Sequence, residues 1–177
     1  MTAAIRARIV LLVGLVTFAF VVLYGSIAIS MMMQSPVHLL ACMETEAQWR
    51  AWTCEQVLRH VALSEAQVAE LNRQAGIRLP AALVVPEVSE RMLKVFLAHG
   101  VDINARDADT RGWTALHGFV AGRSADKVAL LLKYGASVKV ADADGMTPVD
   151  LARRLSKDSP GDARIAAIVS LLESGMK

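Results

Sequence analysis

Hydrophobic residues occur along this chain in two patterns. One is a continuous run without a charged side chain, residues 9–33. The other is a series of segments in which apolar residues recur every three or four positions, as on an α-helix with one buried face. The clearest are 65–76, 88–97, 124–134 and 163–173, and glycine at or soon after their ends suits a helix C-terminus. The pattern predicts an apolar N-terminal helix followed by an all-α domain of short amphipathic helices.

A polar motif ahead of the later helical segments occurs twice. The motif Asp-x-x-Gly-x-Thr begins at Asp109 and again at Asp142, 33 residues later. Repetition at this period indicates a fold built from stacked, similar units. A weaker unit precedes these two, because Leu79 lies 21 residues before Gly100, the same separation as from the first motif's threonine to Gly135.

The period and the motif resemble the ankyrin repeat. The resemblance implies units of a hairpin-like loop and two antiparallel helices, stacked as a short solenoid in a domain of residues 77–177. It divides this domain into a degenerate repeat of about 76–105 and two further repeats, 106–140 and 141–175. The last repeat departs from the family pattern in a lengthened loop between its helices, residues 155–162.

Residues 34–76 are predicted to form a helical adaptor ahead of the repeats. Trp49 and Trp52 are three positions apart and therefore share a helix face. We expect them to pack against the first repeat; the alternative is contact with a membrane interface, where tryptophan is enriched. Hydroxyl and glutamine residues have the spacing of a capping box, a motif of helix N-termini, in three pairs: Thr45–Gln48, Thr53–Gln56 and Ser64–Gln67.

The two cysteines of the chain, Cys42 and Cys54, both lie in the adaptor. On one continuous helix their Cα atoms would be about 18 Å apart, too far for a disulfide bond, which needs a separation below about 7 Å. A disulfide between them therefore requires a turn in the intervening chain. We expect this disulfide in an oxidising compartment; the alternative is a pair of buried free thiols.

The uncharged run is long enough for a transmembrane helix. At about 1.5 Å per residue, residues 9–33 extend about 37 Å, and a hydrocarbon core is about 30 Å thick. Because Arg6 and Arg8 precede the run and acidic residues follow it, the positive-inside bias places residues 1–8 in the cytoplasm. We expect a single-pass protein of a bacterial inner membrane, with its C-terminal domain in the periplasm. The excess of arginine over lysine also suggests a bacterial source.

Two alternatives to an uncleaved membrane anchor remain open. Ala28 and Ser30 offer the small residues of a signal-peptide cleavage site. The segment from Leu39 to Cys42 resembles a lipoprotein lipobox, although polar residues separate it from the apolar run.

The charged and chemically reactive residues do not suggest an enzyme. The 17 acidic residues all follow the apolar run and balance the 17 basic residues there, which are the total of 19 less Arg6 and Arg8. This balance gives no electrostatic basis for nucleic-acid binding. Histidines lack zinc-ligand spacing, and the resemblance makes His117 a structural hydrogen-bonding residue. The aspartates of the two motifs lack the spacing of a calcium loop. We expect no catalysis, no cofactor and no metal.

The resemblance implies protein binding through loop tips and the first helices of the units. We expect a membrane-tethered module that captures a protein partner, in its most specific form an immunity or inhibitor protein against a toxin. The alternative function is a scaffold that localises or stabilises a periplasmic enzyme. Trp113 either binds the partner or packs across its own loop. The predicted binding residues are Arg106, Thr110, Arg111, Trp113, Asp144, Met146, Arg153 and Arg154.

Overall fold

The computed structural model describes residues 3–32, 35–61 and 63–175, with side chains of the first helix described for residues 12–26. The ends of predicted segments that fall on residues 1–2, 33–34 or 176–177 lie outside this range. The described residues form these helices: α1 (Ala3–Met32), α2 (Pro36–Thr45), α3 (Gln48–His60), α4 (Glu65–Arg73), α5 (Arg78–Ala81), α6 (Pro86–Ala98), α7 (Ala115–Ala121), α8 (Ala125–Lys133), α9 (Pro148–Asp158) and α10 (Ala163–Ser174).

The C-terminal helices form three stacked pairs, α5–α6, α7–α8 and α9–α10. Within the stack, α7 lies between α5 and α9, while α8 packs against α10. In the part of the chain that the structure describes, the β-structure is limited to a single bridge between Arg106 and Thr114. The predicted all-α domain is therefore confirmed.

The repeated motif determines where the first helix of two pairs begins. The Thr114 hydroxyl accepts a hydrogen bond from the His117 amide, and Nδ1 of the His117 ring accepts one from the Thr114 amide. Thr147 and Asp150 form the equivalent capping box at the start of α9. Each box satisfies backbone N–H groups that a helix N-terminus would otherwise leave without partners.

One continuous core runs from the adaptor into the stacked pairs. Leu58 of α3, Phe96 of α6 and Leu131 of α8 are all buried in it. Full burial of such a side chain contributes about 1.5–3 kcal/mol. Because the adaptor and the pairs share this core, α2 and α3 cover the apolar flank of the first pair, α5–α6.

A disulfide bond joins α2 to α3. Cys42 and Cys54 are bridged with a Cα–Cα distance of 6.4 Å, because the chain turns at Glu46 and Ala47 between the two helices. The predicted disulfide and the predicted turn are both present. Cys54 is buried in the core, so the bridge fastens α2 to a buried position of α3.

Several local expectations for the adaptor and the last repeat are wrong. Trp49 and Trp52 do not pack on the first repeat, since their exposed fractions are 65% and 63%. Of the three proposed capping boxes, only Ser64–Gln67 forms. The hydroxyls of Thr45 and Thr53 instead donate to carbonyls one turn earlier within their own helices. A hydroxyl–glutamine spacing cannot distinguish a helix start from a helix interior.

The lengthened loop of the last repeat is shorter than predicted, because α9 continues to Asp158 and includes half of residues 155–162.

The predicted membrane topology is contradicted. Among the described residues, no helix is both long and apolar enough to cross a membrane. The prediction of a single-pass inner-membrane protein with a periplasmic domain is wrong on this finding, and the transmembrane assignment of 9–33 is unsupported.

Candidate protein-binding surface

Two loops, residues 106–113 and 141–146, lie side by side ahead of α7 and α9; together they are called the loop surface here. The Ala143 amide donates to the Arg111 carbonyl at 2.7 Å, which joins one loop to the other. The Ala108 amide donates to the Arg73 carbonyl at 2.8 Å, at the end of α4. Backbone hydrogen bonds therefore hold the loop surface in register from one unit to the next.

An aspartate holds each loop in shape. The Asp107 carboxylate accepts from the Asp109 amide at 2.9 Å, and that of Asp142 accepts from the Asp144 and Met146 amides at 2.9 and 2.8 Å. Burial acts to raise both pKa values, but these hydrogen bonds outweigh it, so the pKa of Asp107 and of Asp142 lies below the ordinary value. Both carboxylates are therefore ionised, and each holds the backbone of its loop through hydrogen bonds.

His117 connects two helix pairs. Its Nδ1 accepts from the Thr114 amide at 3.1 Å, and its Nε2 donates to the Met146 carbonyl of the next unit at 2.9 Å. Burial lowers the pKa of His117, although the Met146 carbonyl and the Asp142 charge act in the opposite direction. Since both ring nitrogens are occupied in a buried, neutral imidazole, this residue has the structural role that the family resemblance implies.

Trp113 packs within the loop surface. Its indole Nε1 donates to the Asp142 carboxylate at 3.2 Å, and its ring stacks on His117 with centroids 6.3 Å apart. The side chain is half-buried and joins the two loops. The expected packing across its own loop therefore extends to the neighbouring unit.

Arg111 presents an exposed guanidinium on the loop surface, with 76% of its side chain accessible. Its Nη1 lies 3.1 Å from the Asp144 carboxylate, which is also exposed. Ion pairs in such positions contribute about 0–1 kcal/mol to stability. Both groups can therefore exchange this internal pair for a partner's charges at little cost to the fold.

The structure brings six of the eight predicted binding residues together in the loop surface and separates the other two. Arg106 and Thr110 are exposed in the first loop, and Met146 is half-buried in the second. On α9, outside the loops, Arg153 forms an ion pair with Glu173 of α10 at 3.0 Å. Arg154 is exposed and has no ion pair among the described residues.

Two asparagines that sequence reasoning did not single out also fix the loops. The Asn104 side-chain oxygen accepts from the Ser137 amide of the next unit at 2.7 Å. The Asn72 oxygen likewise accepts from the Asp102 amide at 2.8 Å, so α4 supplies the contact that a preceding repeat would make. The sequence offered no repeated signal for them, because the next unit has Lys139 at the position of Asn104 and Asn72 lies in helix α4.

The arrangement suits recognition of a surface more than catalysis. Its exposed groups are guanidinium donors, a hydroxyl and a carboxylate, all on a base fixed by hydrogen bonds. Within the described ranges, no three His, Cys, Asp or Glu side chains come together as a metal site.

Comparison with known proteins identifies the stacked pairs. Residues 83–170 match the family model for ankyrin repeats, in three copies. An ankyrin repeat protein of Rickettsia bellii is 31% identical over 105 residues, which are 56% of this chain and 42% of the relative. The inhibitor of Bruton tyrosine kinase from Mus musculus is 41% identical over 69 residues, 39% of this chain and 5% of that protein. The chain thus spans less than half of the length of either relative.

Proposed function

Residues 83–170 are ankyrin repeats, a fold that mediates protein–protein binding, and from this premise we propose that the chain captures a protein partner on its loop surface and acts as an inhibitor. In the specific form of the proposal, the partner is a toxin and this chain is its immunity protein. The proposal rests mainly on the position of Arg111. Its guanidinium is largely exposed, and backbone hydrogen bonds hold its loop to α4 on one side and to the second loop on the other. Arginine and tryptophan are the residues that most often anchor protein interfaces.

We propose that the chain acts by binding alone, without catalysis. His117 has both ring nitrogens engaged in structural hydrogen bonds, and the two loop aspartates hold backbone amides. These groups are therefore committed to the fold. The mouse relative is named for inhibition of a tyrosine kinase, but the shared segment is 5% of that protein, so its name supports no particular target.

The binding surface is tested with exposed arginines that contribute little to the fold. We expect Arg106→Ala and Arg111→Ala together to weaken partner capture by about tenfold or more, a loss of about 1.4 kcal/mol. The measurement is recovery and affinity of the partner from lysate with the full chain as bait. Arg59→Ala, an exposed arginine of α3, is the matched control. Unchanged affinity in the double variant would show that the loop surface is not the binding face.

The captured partner's own activity separates an inhibitor from a scaffold. An inhibitor lowers that activity at equimolar concentration, and the double arginine variant restores it. A scaffold leaves the activity unchanged or raises it.

A further inference from the structure

A small group of exposed apolar side chains lies where the adaptor meets the first repeat. Val84 and Val85, in the segment between α5 and α6, have exposed fractions of 80% and 51%. Met43 of α2, Leu83 and Val88 join them around a cavity of about 300 Å³. These residues are called the junction groove below. Aliphatic side chains exposed to solvent contribute nothing to the core, so their clustering in the groove indicates contact with another molecule.

The junction groove has a fixed backbone. The Val84 amide donates to the Glu44 carboxylate of α2 at 2.9 Å, which attaches the exposed segment to the adaptor. Immediately afterwards, Pro86 begins α6. The two valines are therefore presented on a rigid base that the adaptor and the first repeat build together.

Helix α3, which packs against α6, carries the exposed Trp49 and Trp52. Arg91 of α6 forms an ion pair with Glu55 of α3 at 3.0 Å. Arg50 lies over the Trp49 ring at 5.9 Å, so a cation of the chain itself already covers that ring.

The charges around the groove favour a cationic occupant. Two of its acidic neighbours already have partners, since Glu46 pairs with Arg50 and Glu55 with Arg91. Glu44 and Glu87 are exposed and have no cationic partner in the described residues. The remaining cation nearby is Lys127, which is half-buried and donates to the Leu83 carbonyl at 2.7 Å. The rim therefore keeps a net negative charge beside an apolar floor.

We propose that the junction groove is a second protein-docking surface, which binds a cationic segment with apolar residues on one side. The apolar side chains of the partner enter the cavity between Val84 and Val88, while its lysines or arginines lie over Glu44 and Glu87. No residue of the loop surface takes part, so this proposal is independent of the function proposed above.

The test uses a labelled 14-residue amphipathic peptide of leucine and lysine, titrated against the full chain by fluorescence anisotropy. We expect Val84→Ser with Val85→Ser to weaken binding about tenfold, because two exposed valines lose their burial against the peptide. Glu44→Gln with Glu87→Gln is expected to flatten the salt dependence, since the glutamine at position 44 still accepts from the Val84 amide. Arg111→Ala should leave binding unchanged.

The controls address folding and alternative occupants. Val85 occupies the N-cap of α6 without a capping hydrogen bond, and serine is favoured there, so the valine variant should remain folded. Ala166→Ser with Ala167→Ser, on the exposed side of α10, is the matched surface control. Equal affinity for a peptide with glutamate in place of lysine, or unchanged affinity in the valine variant, overturns the proposal. A second outcome also overturns the proposal: the peptide does not bind, and the same valines instead support self-association or binding to neutral phosphatidylcholine vesicles.

Discussion

His117 joins two helix pairs through both of its ring nitrogens, and it does so in the neutral form. The same residue completes the capping box at the start of α7. A single side chain therefore contributes to the local start of a helix and to the stacking of the next unit. At the corresponding position in the last unit, Asp150 keeps the capping role.

The state of His117 makes the stability of the domain depend on pH. Burial lowers its pKa below the ordinary value of about 6.5, so below that pH the unfolded chain binds a proton that the folded chain excludes. The stabilisation is complete above about pH 6.5 and is lost as the pH falls towards the folded-state pKa. We expect the free energy of unfolding to decline between pH 7.5 and 5.5, measured by urea denaturation.

His117→Gln supplies the comparison for this prediction. Glutamine does not titrate and can still cap the helix, but it loses the bond to Met146, for which we expect a cost of about 1–2 kcal/mol at pH 7.5. The variant should show a flatter pH profile than the unsubstituted chain. Parallel profiles for the two proteins would assign the pH dependence to other groups.

Among the elements, the α2–α3 hairpin closes the flank of the first helix pair. Helix α5 is only four residues long and has no capping side chain, so the first pair is the weakest of the three. The hairpin compensates by contributing buried leucines to the shared core, including Leu39 and Leu58. Its own two helices are held together by the disulfide.

We expect reduction of the Cys42–Cys54 disulfide to destabilise the domain by about 3 kcal/mol, the chain-entropy value for a loop of this length. The measurement is chemical denaturation with and without a dithiol reductant. In the double variant Cys42→Ser with Cys54→Ser, the reductant should have no further effect. If reduction leaves the midpoint of the unsubstituted chain unchanged, α2 and α3 are held by their apolar contacts alone.

At the scale of the whole molecule, each helix pair depends on its neighbours. Helix α7 packs on α9, and α8 packs on α10, so the middle pair has partners on both sides. Arrays of this kind derive their stability from interfaces between adjacent units, and about three units are needed. Three pairs and an adaptor therefore provide little stability beyond what folding requires.

Removal of the last pair should unfold the stack. A chain that ends after Val140 loses helix α10, which packs on α8, and the Met146 partner of His117. The middle pair then keeps a neighbour on one side only, whereas arrays of this kind need about three units for stability. We expect circular dichroism to show no cooperative thermal transition.

Deletion of residues 1–34 is the contrasting truncation. Among the described elements, α1 contacts α3 of the adaptor and adds no residue to the shared core. Thermal unfolding of this shorter chain should stay cooperative. A cooperative transition in the chain ending at Val140 would show that two pairs and the adaptor suffice.

The accuracy of the sequence-based predictions differs from one residue to another for physical reasons. Asp142 and Thr147 act within a few residues of their own positions, so their contacts depend on local sequence alone. Trp113 was left between binding and packing because its partner, Asp142, belongs to another unit. Trp49 and Trp52 were expected to be buried because helical spacing defines a shared face but not what lies opposite it.

The sequence alone determined the repeat period, the all-α class, the caps of α7 and α9 and the need for a turn between the cysteines. These features depend on local spacing and on a pattern that recurs along the chain. Tertiary structure alone decided that Arg153 pairs with Glu173, that Asn72 replaces a missing repeat, and that the junction groove stays exposed. Such features depend on which distant residues the stacking brings together, and a single sequence carries no record of those distances.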